Sequence, residues 1–313
     1  MNEVRTVGIV GAGLVGSAWT IIFSLAGMSV RVFDNDETKR RGVMDHARAN
    51  LADMVAHGLA DDADAALARI TICDTLEETV ASVDYIQESV FEQLDLKIEI
   101  SGRIGEAMRA DAIVGSSTSA LPASAFTENA PKRGRFIVAH PVNPPHLVPV
   151  VELVPAPWTD PEVQPAVRAL MERIGQVPVS VTREIEGFIL NRLQGALLDE
   201  AFSLYDQGYA SAADIDATIS HGLGLRWSFM GPFETIDLNA PGGVADYAAR
   251  FDRMYTVMAN SRKNPHPWSK PLVDRITAER RAAVPEDQLA ARRDWRDRRL
   301  MALVAHKRKA GKS

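Results

Sequence analysis

The stretch Val7-Gly8-Ile9-Val10-Gly11-Ala12-Gly13-Leu14-Val15-Gly16 decides how this chain is read. An apolar, β-prone run leads into G-x-G-x-x-G, and a segment of helical period follows over 15–26. In that setting the glycines have separate tasks. Gly11 permits a tight turn, Gly13 leaves room for a pyrophosphate against the backbone, and Gly16 lets the helix lie close to the strand. The N–H groups at the helix mouth, Leu14 and Val15 among them, face the phosphates with the positive end of the helix dipole. A second strand over 29–33 ends at Asp34, about 20 residues on, where a carboxylate binds the ribose hydroxyls. That carboxylate repels a 2′-phosphate, and Asn35 and Asp36 supply no arginine to receive one. The expected cofactor is NAD.

Outward from this turn, strand candidates recur at 84–86, 113–114 and 136–139, each after a helical stretch. Alternation of this kind implies βαβ units and a mainly parallel sheet. Residues 40–70 read as a long helix, a turn at Gly58 and Leu59, and a short helix. Beyond about residue 186 strands disappear, and 187–207, 212–222, 243–259, 270–282 and 288–307 read as helices, with loops at 264–267 and at Pro285. The expected architecture is an α/β Rossmann-like domain over 1–185 followed by an all-α domain over 186–313.

Bulk properties narrow the function. The 313 residues carry 46% hydrophobic and 24% charged side chains, which suits folded globular domains rather than disorder. A net charge of −6 gives no general attraction for nucleic acid or anionic membrane. The basic tail from Gln288 is interleaved with Asp294 and Asp297, so it reads as a solvated helix at a dimer surface. No apolar run reaches the ~20 residues of a membrane span, and no signal peptide is recognisable. The single cysteine, Cys73, excludes an intrachain disulfide, argues against a cysteine-based metal site and fits a reducing, cytoplasmic setting. No metal site is expected.

Four polar residues downstream suit oxidation of an alcohol: Ser119 in GSSTSAL, His140 and Glu152 in HPVNPPHLVPVVELVP, and Asn191 in EGFILNRL. The hydroxyl proton must be removed as the carbinol carbon is oxidised, and neutral histidine is a common base for that task. A carboxylate beside it fixes the tautomer and stabilises the imidazolium. Small polar groups can hold the oxygen on which charge develops. Spacing alone does not bring these four together.

The whole pattern resembles the 3-hydroxyacyl-CoA dehydrogenase family, and within it the lambda-crystallin branch, whose enzymatic member is L-gulonate 3-dehydrogenase. The resemblance runs through G-x-G-x-x-G with Asp34, QESVFEQLDLK (87–97), GSSTSAL (115–121), AHPVNPP (139–145) with ELVP (152–155), GFILNRLQ (187–194), GLGLRWSFMGPFETIDLNA (222–240) and LAARRDWRD (289–297). It implies that His140 is the base, Glu152 its partner, and Ser119 and Asn191 the holders of the substrate oxygen. It further implies that Asn143 lies beside the nicotinamide, that Leu14 and Val15 touch the pyrophosphate, and that Glu92 and Lys97 lie around the nicotinamide ribose. Its fold has a Rossmann-like domain and a helical domain through which subunits form a homodimer.

Arg226 lies on a segment that borders the substrate cleft in this family, and a guanidinium suits a substrate carboxylate. The other histidines, His146 and His221, read as structural or exposed. Residues 40–96 contain no lysine, and their arginines are interspersed with Asp53, Asp61, Asp62 and Asp64. That is a poor surface for the phosphates of CoA. The expected substrate is therefore a small free 3-hydroxy acid such as L-gulonate. Carnitine, with Trp227 and Phe229 to receive its quaternary ammonium, and a short-chain 3-hydroxyacyl-CoA are the enzymatic alternatives. A crystallin-like structural role is the non-enzymatic one, against which the polar set of Ser119, His140, Glu152 and Asn191 speaks.

Overall fold

A computed structural model describes residues 3–261 and 268–311, so the loop expected at 264–267 lies outside the described residues. The apolar alternation seen in the sequence becomes one eight-stranded sheet: β1 Thr6–Val10, β2 Ser29–Phe33, β3 Ile70–Ile72, β4 Tyr85–Glu88, β5 Ile113–Ser116, β6 Phe136–Pro141, β7 Val150–Pro155 and β8 Val177–Ser180. Their order is β3-β2-β1-β4-β5-β6-β7-β8. The first six are parallel, β7 runs antiparallel to β6, and β8 is parallel to β7. The strands expected from sequence are present, and β3, β7 and β8 join them. The mainly parallel sheet followed by helices is the expected fold class.

Strand order reverses direction at β1, with β2 on one side and β4 on the other, and the carboxyl ends of these strands form a crevice where α/β sheets bind ligands. Two helices frame it. Helix α1, Leu14–Leu25, is buried along most of its length, and Trp19 stacks on Phe23 at 5.5 Å within the core. Helix α2, Glu37–Ala56, begins where the Asp36 carboxylate accepts hydrogen bonds from the N–H of Thr38 and Lys39. It buries Val43, Ala47, Leu51 and Met54, a stripe at helical spacing that matches the sheet face.

The chain forms two compact units, one of residues 1–192 with 294–313 and one of residues 193–293. The first contains the sheet. The final helix, Leu289–Ala310, contributes to it from Asp294 onward: Met301 is buried in its main core, and Arg308 donates to the Leu59 carbonyl at 3.1 Å. Part of the basic tail is thus packed rather than solvated. The second unit contains helices Ala212–Thr218, Pro232–Leu238, Gly243–Ser261 and Lys270–Ala283. Among its described residues only Thr235, Ala240 and Leu272 are buried.

Candidate active site

The glycine turn is shaped by contacts that no side chain could share. Gly11 has a φ of +99°, and a Cβ on it would lie 2.5 Å from the Ser89 carbonyl oxygen. A Cβ on Gly16 would lie 1.8 Å from the Gly11 carbonyl oxygen. At Gly13 a Cβ would meet nothing within 4 Å, so the turn is open there, and α1 starts without a side-chain cap. Its first N–H groups are left to an anion. This is a cradle for a dinucleotide pyrophosphate, and the residues present fit NAD.

Asp34 is buried beside the turn. One carboxylate oxygen accepts from Ala12 N–H at 2.7 Å and the other from Asp36 N–H at 2.9 Å, which locks the acid at the end of β2. From there a cleft of about 680 Å³ extends past Gly11 and Gly13 to Ser119, His140 and Asn143. Leu14 and Val15 line it as well.

His140 and Glu152 face each other because of strand pairing. They are directly opposed in the antiparallel β6–β7 ladder, so both side chains emerge on the same face of the sheet. His140 Nδ1 lies 2.8 Å from Glu152 Oε2, with both side chains buried. An ionised carboxylate only accepts, so Nδ1 carries the hydrogen and the Nε2 of the neutral ring keeps a lone pair.

The second oxygen of Glu152 accepts from the N–H of Ile189 at 2.7 Å and of Leu190 at 2.9 Å. These donors open the helix Leu190–Asp206. Burial works to raise the Glu152 carboxyl. The hydrogen bonds from His140, Leu190 and Ile189 outweigh it and hold the group below the usual carboxylate range. Gly187 and Phe188 both have positive φ, 73° and 49°, which turns the chain so that these N–H groups reach the carboxylate. The Phe188 ring, fully buried, packs 5.6 Å from the imidazole.

Ser119 and Asn191 also meet. Asn191 Nδ2 donates to the Ser119 carbonyl at 2.6 Å. The turn carrying Ser119 is held by Glu92, whose Oε1 accepts from the Thr118 hydroxyl at 2.5 Å and from the N–H groups of Ser119, Ala120 and Leu121 at 3.1, 3.1 and 3.3 Å. Burial acts to raise the Glu92 carboxyl, but these bonds and nearby Lys97 bring it below the usual range. Glu92 therefore lines the cleft and also builds the serine turn.

Lys97 stands elsewhere. It is 1% exposed and lies 3.0 Å from both carboxylate oxygens of buried Glu88, which also accepts from the Ser116 hydroxyl and from Val90 N–H. Its ammonium braces the ends of β4 and β5 behind the cleft wall. Arg226, in the second unit, is exposed on the short helix Gly224–Trp227 and has no carboxylate partner among the described residues. Among those residues no group of three or more His, Cys, Asp or Glu could hold a metal ion, and no helix is long and apolar enough to cross a membrane.

Comparison with known proteins agrees with this geometry. Residues 6–185 match the NAD binding domain of 3-hydroxyacyl-CoA dehydrogenase, and residues 187–284 match its C-terminal domain. The chain is 39% identical to lambda-crystallin of Oryctolagus cuniculus over 96% of its own length and 95% of that protein. It is 34% identical to L-carnitine dehydrogenase of Pseudomonas putida, covering 97% of this chain and 94% of the relative. The solved structure of (S)-3-hydroxybutyryl-CoA dehydrogenase from Ralstonia eutropha superposes with a TM-score of 0.69 at 26% identity, over 88% of this chain and 95% of that one. With an open phosphate cradle at the mouth of its cleft, the chain belongs to the 3-hydroxyacyl-CoA dehydrogenase family as an NAD-dependent oxidoreductase acting on a CH–OH group.

Proposed function

We propose that the enzyme oxidises the 3-hydroxyl of a small free 3-hydroxy acid, with L-gulonate as the leading substrate, and that His140 is the general base. The observation that carries the base assignment is the Nδ1–Glu152 contact at 2.8 Å, which leaves Nε2 as the acceptor in the cleft. Nε2 takes the hydroxyl proton, and the Glu152 carboxylate stabilises the imidazolium through the other ring nitrogen. Two backbone N–H groups keep Glu152 oriented as that charge forms. When bound, NAD supplies the acceptor for the hydride that leaves the carbinol carbon.

The Ser119 hydroxyl and Asn191 carboxamide hold the substrate oxygen, and the Nδ2–Ser119 carbonyl bond ties the two together. Gly11, Gly13, Leu14, Val15 and Gly16 hold the pyrophosphate, Asp34 the adenosine ribose, and Asn143 the nicotinamide, with Glu92 facing the nicotinamide ribose. Lys97 serves that end of the site through the strands it braces. The division into a cofactor domain over 1–185 and a helical domain over 186–313 belongs to the same reading, with the helix from Asp294 returned to the first.

The absence of lysine over 40–96 favours a free acid over a CoA thioester. Arg226 grips the substrate carboxylate, a role supported by its exposure and lack of a carboxylate partner among the described residues. Arg226→Ala should then raise KM for the acid; an unchanged KM contradicts that contact. Carnitine is the second reading, favoured by the 34% identical carnitine dehydrogenase and by exposed Trp227 and Phe229 beside Arg226. The second unit exposes Leu225, Phe229, Phe233 and Leu238, each more than 60% accessible, which supports a homodimer. The lone cysteine, buried, supports a cytoplasmic setting. The direct test of the base is His140→Ala, which should lose most of kcat while NAD affinity and fold persist. Near-normal turnover would remove the assignment.

A further inference from the structure

A chain of polar groups runs through the sheet beneath the His140 end of the cleft. The Tyr85 hydroxyl donates to Gln87 Oε1 at 2.7 Å, and both residues are buried. Gln87 Nε2 donates to Ser117 Oγ at 2.7 Å and also faces the carbonyl of Ala139, the residue before His140, at 3.4 Å. An amide oxygen in that place would be repelled by the Ala139 carbonyl, so the orientation of the Gln87 amide is fixed. Trp19 Nε1 donates to the same Ser117 Oγ at 3.2 Å.

A serine hydroxyl has two lone pairs and one hydrogen. Both lone pairs of Ser117 are taken by N–H groups that cannot accept in return. Its hydrogen is therefore left for Ser89 Oγ, 2.8 Å away. Ser89 accepts that bond, and its own hydrogen must point elsewhere. Ser89 and Ser117 both line the cleft, and among the described residues the Ser89 hydroxyl has no other hydrogen-bond partner.

We infer that Ser89 is a hydrogen-bond donor to the cofactor, polarised by the Tyr85–Gln87–Ser117 relay and directed at an acceptor oxygen on the nicotinamide-riboside half of NAD. The half is set by position, since Ser89 follows β4, on the His140 side of β1, while Asp34 follows β2 on the other side. This part rests on the reading of His140 as the reacting end of the cleft. The relay sets the role of Ser89: with Ser117 donating to it, the hydrogen of Ser89 is not spent within the relay and is available to an acceptor in the cleft, beside one remaining lone pair. A carbonyl, ribose hydroxyl or phosphate oxygen satisfies that hydrogen, and a group that only donates does not.

The test is Ser89→Ala, with NAD and AMP titrated separately against the full chain and binding followed by calorimetry. The expected result is an NAD Kd raised about threefold to tenfold, the span of one neutral hydrogen bond, with AMP affinity unchanged. Unaltered AMP binding also certifies that the adenosine end of the cleft is intact. An unchanged NAD Kd overturns the inference, and so does a parallel loss of NAD and AMP affinity. His140→Ala measured alongside separates the two levels: full turnover there removes the reading of the cleft's reacting end, while the Ser89→Ala titration of NAD still decides whether the serine donates.

Discussion

Replacing Glu152 by glutamine perturbs the proposed base and its partner with the least damage to the scaffold. The carboxylate receives three hydrogen bonds, from His140 Nδ1 at 2.8 Å, Ile189 N–H at 2.7 Å and Leu190 N–H at 2.9 Å. Alanine would strand all three donors, each at about 1–3 kcal/mol if unsatisfied, and would confuse loss of fold with loss of chemistry. Glutamine keeps one oxygen, which can still accept from Ile189 and Leu190. Its NH₂ then faces the imidazole and can only donate. His140 must therefore adopt the tautomer with the hydrogen on Nε2, and that nitrogen can no longer take a proton from substrate.

General-base catalysis is worth about 10²–10⁴-fold, so kcat for Glu152→Gln should fall by that order. Stability should fall by only about 1.5–3 kcal/mol, the worth of a hydrogen bond to a charged group. Steady-state NADH formation gives kcat, and quenching of protein fluorescence gives NAD affinity, which should stay within about twofold of the parent. A kcat within threefold of the parent, or a loss of NAD affinity as large as the loss of kcat, would refute the reasoning.

Other consequences follow from buried charges and from the serine turn. Lys97→Met leaves Glu88 without its cation in a site where both partners are almost wholly buried, and chemical denaturation should show a loss of about 3–5 kcal/mol; a loss under 1 kcal/mol would show that Glu88 is satisfied by other groups. Glu92→Ala removes the acceptor for three successive N–H groups at Ser119–Leu121, so turnover should fall more than NAD affinity, with Glu92→Gln restoring most of it. Equal effects of alanine and glutamine would contradict a role through the turn.

His146 gives a pH prediction. Both ring nitrogens are buried without a partner among the described residues, and burial lowers the group from 6.5 to about 4. The folded state resists protonation that the unfolded chain accepts, so stability is full above pH 6.5 and is lost as pH falls towards 4. The loss is on the order of 2–4 kcal/mol. His146→Leu should flatten that acid limb in thermal melts between pH 7 and 4, and an unaltered limb would assign it to other groups.

The glycine turn and the alternating elements were legible because they rest on local rules. Gly11 and Gly16 have no space for a Cβ, and the period of α1 and α2 is written in which residues face the sheet. Strand β7 was harder: VVELVP is short, bounded by proline, and no helix separates it from β6 to mark a βαβ unit. Yet β7 makes the site, since its antiparallel register sets Glu152 opposite His140 across twelve residues of chain. The sequence suggested that these two residues act together and could not supply the register.

Lys97 shows the reverse limit. A lysine within QESVFEQLDLK suggests a group facing the cofactor, but its place on Leu94–Ala107 turns it inward, where pairing with Glu88 makes burial tolerable. The hold of Glu92 on the serine turn and the Ser117–Ser89 relay were invisible for another reason. Their roles depend on which backbone N–H groups and lone pairs are already taken, and that is a property of packing rather than of any motif.

The central claim is that this cleft oxidises a free 3-hydroxy acid with NAD. The most direct measurement is release of NADH by the purified protein from L-gulonate, L-carnitine, 3-hydroxybutyrate and 3-hydroxybutyryl-CoA, compared as kcat/KM. We expect L-gulonate to rank first and the CoA thioester to fall well below it. Turnover confined to the thioester, or none with any of the four, would contradict the account.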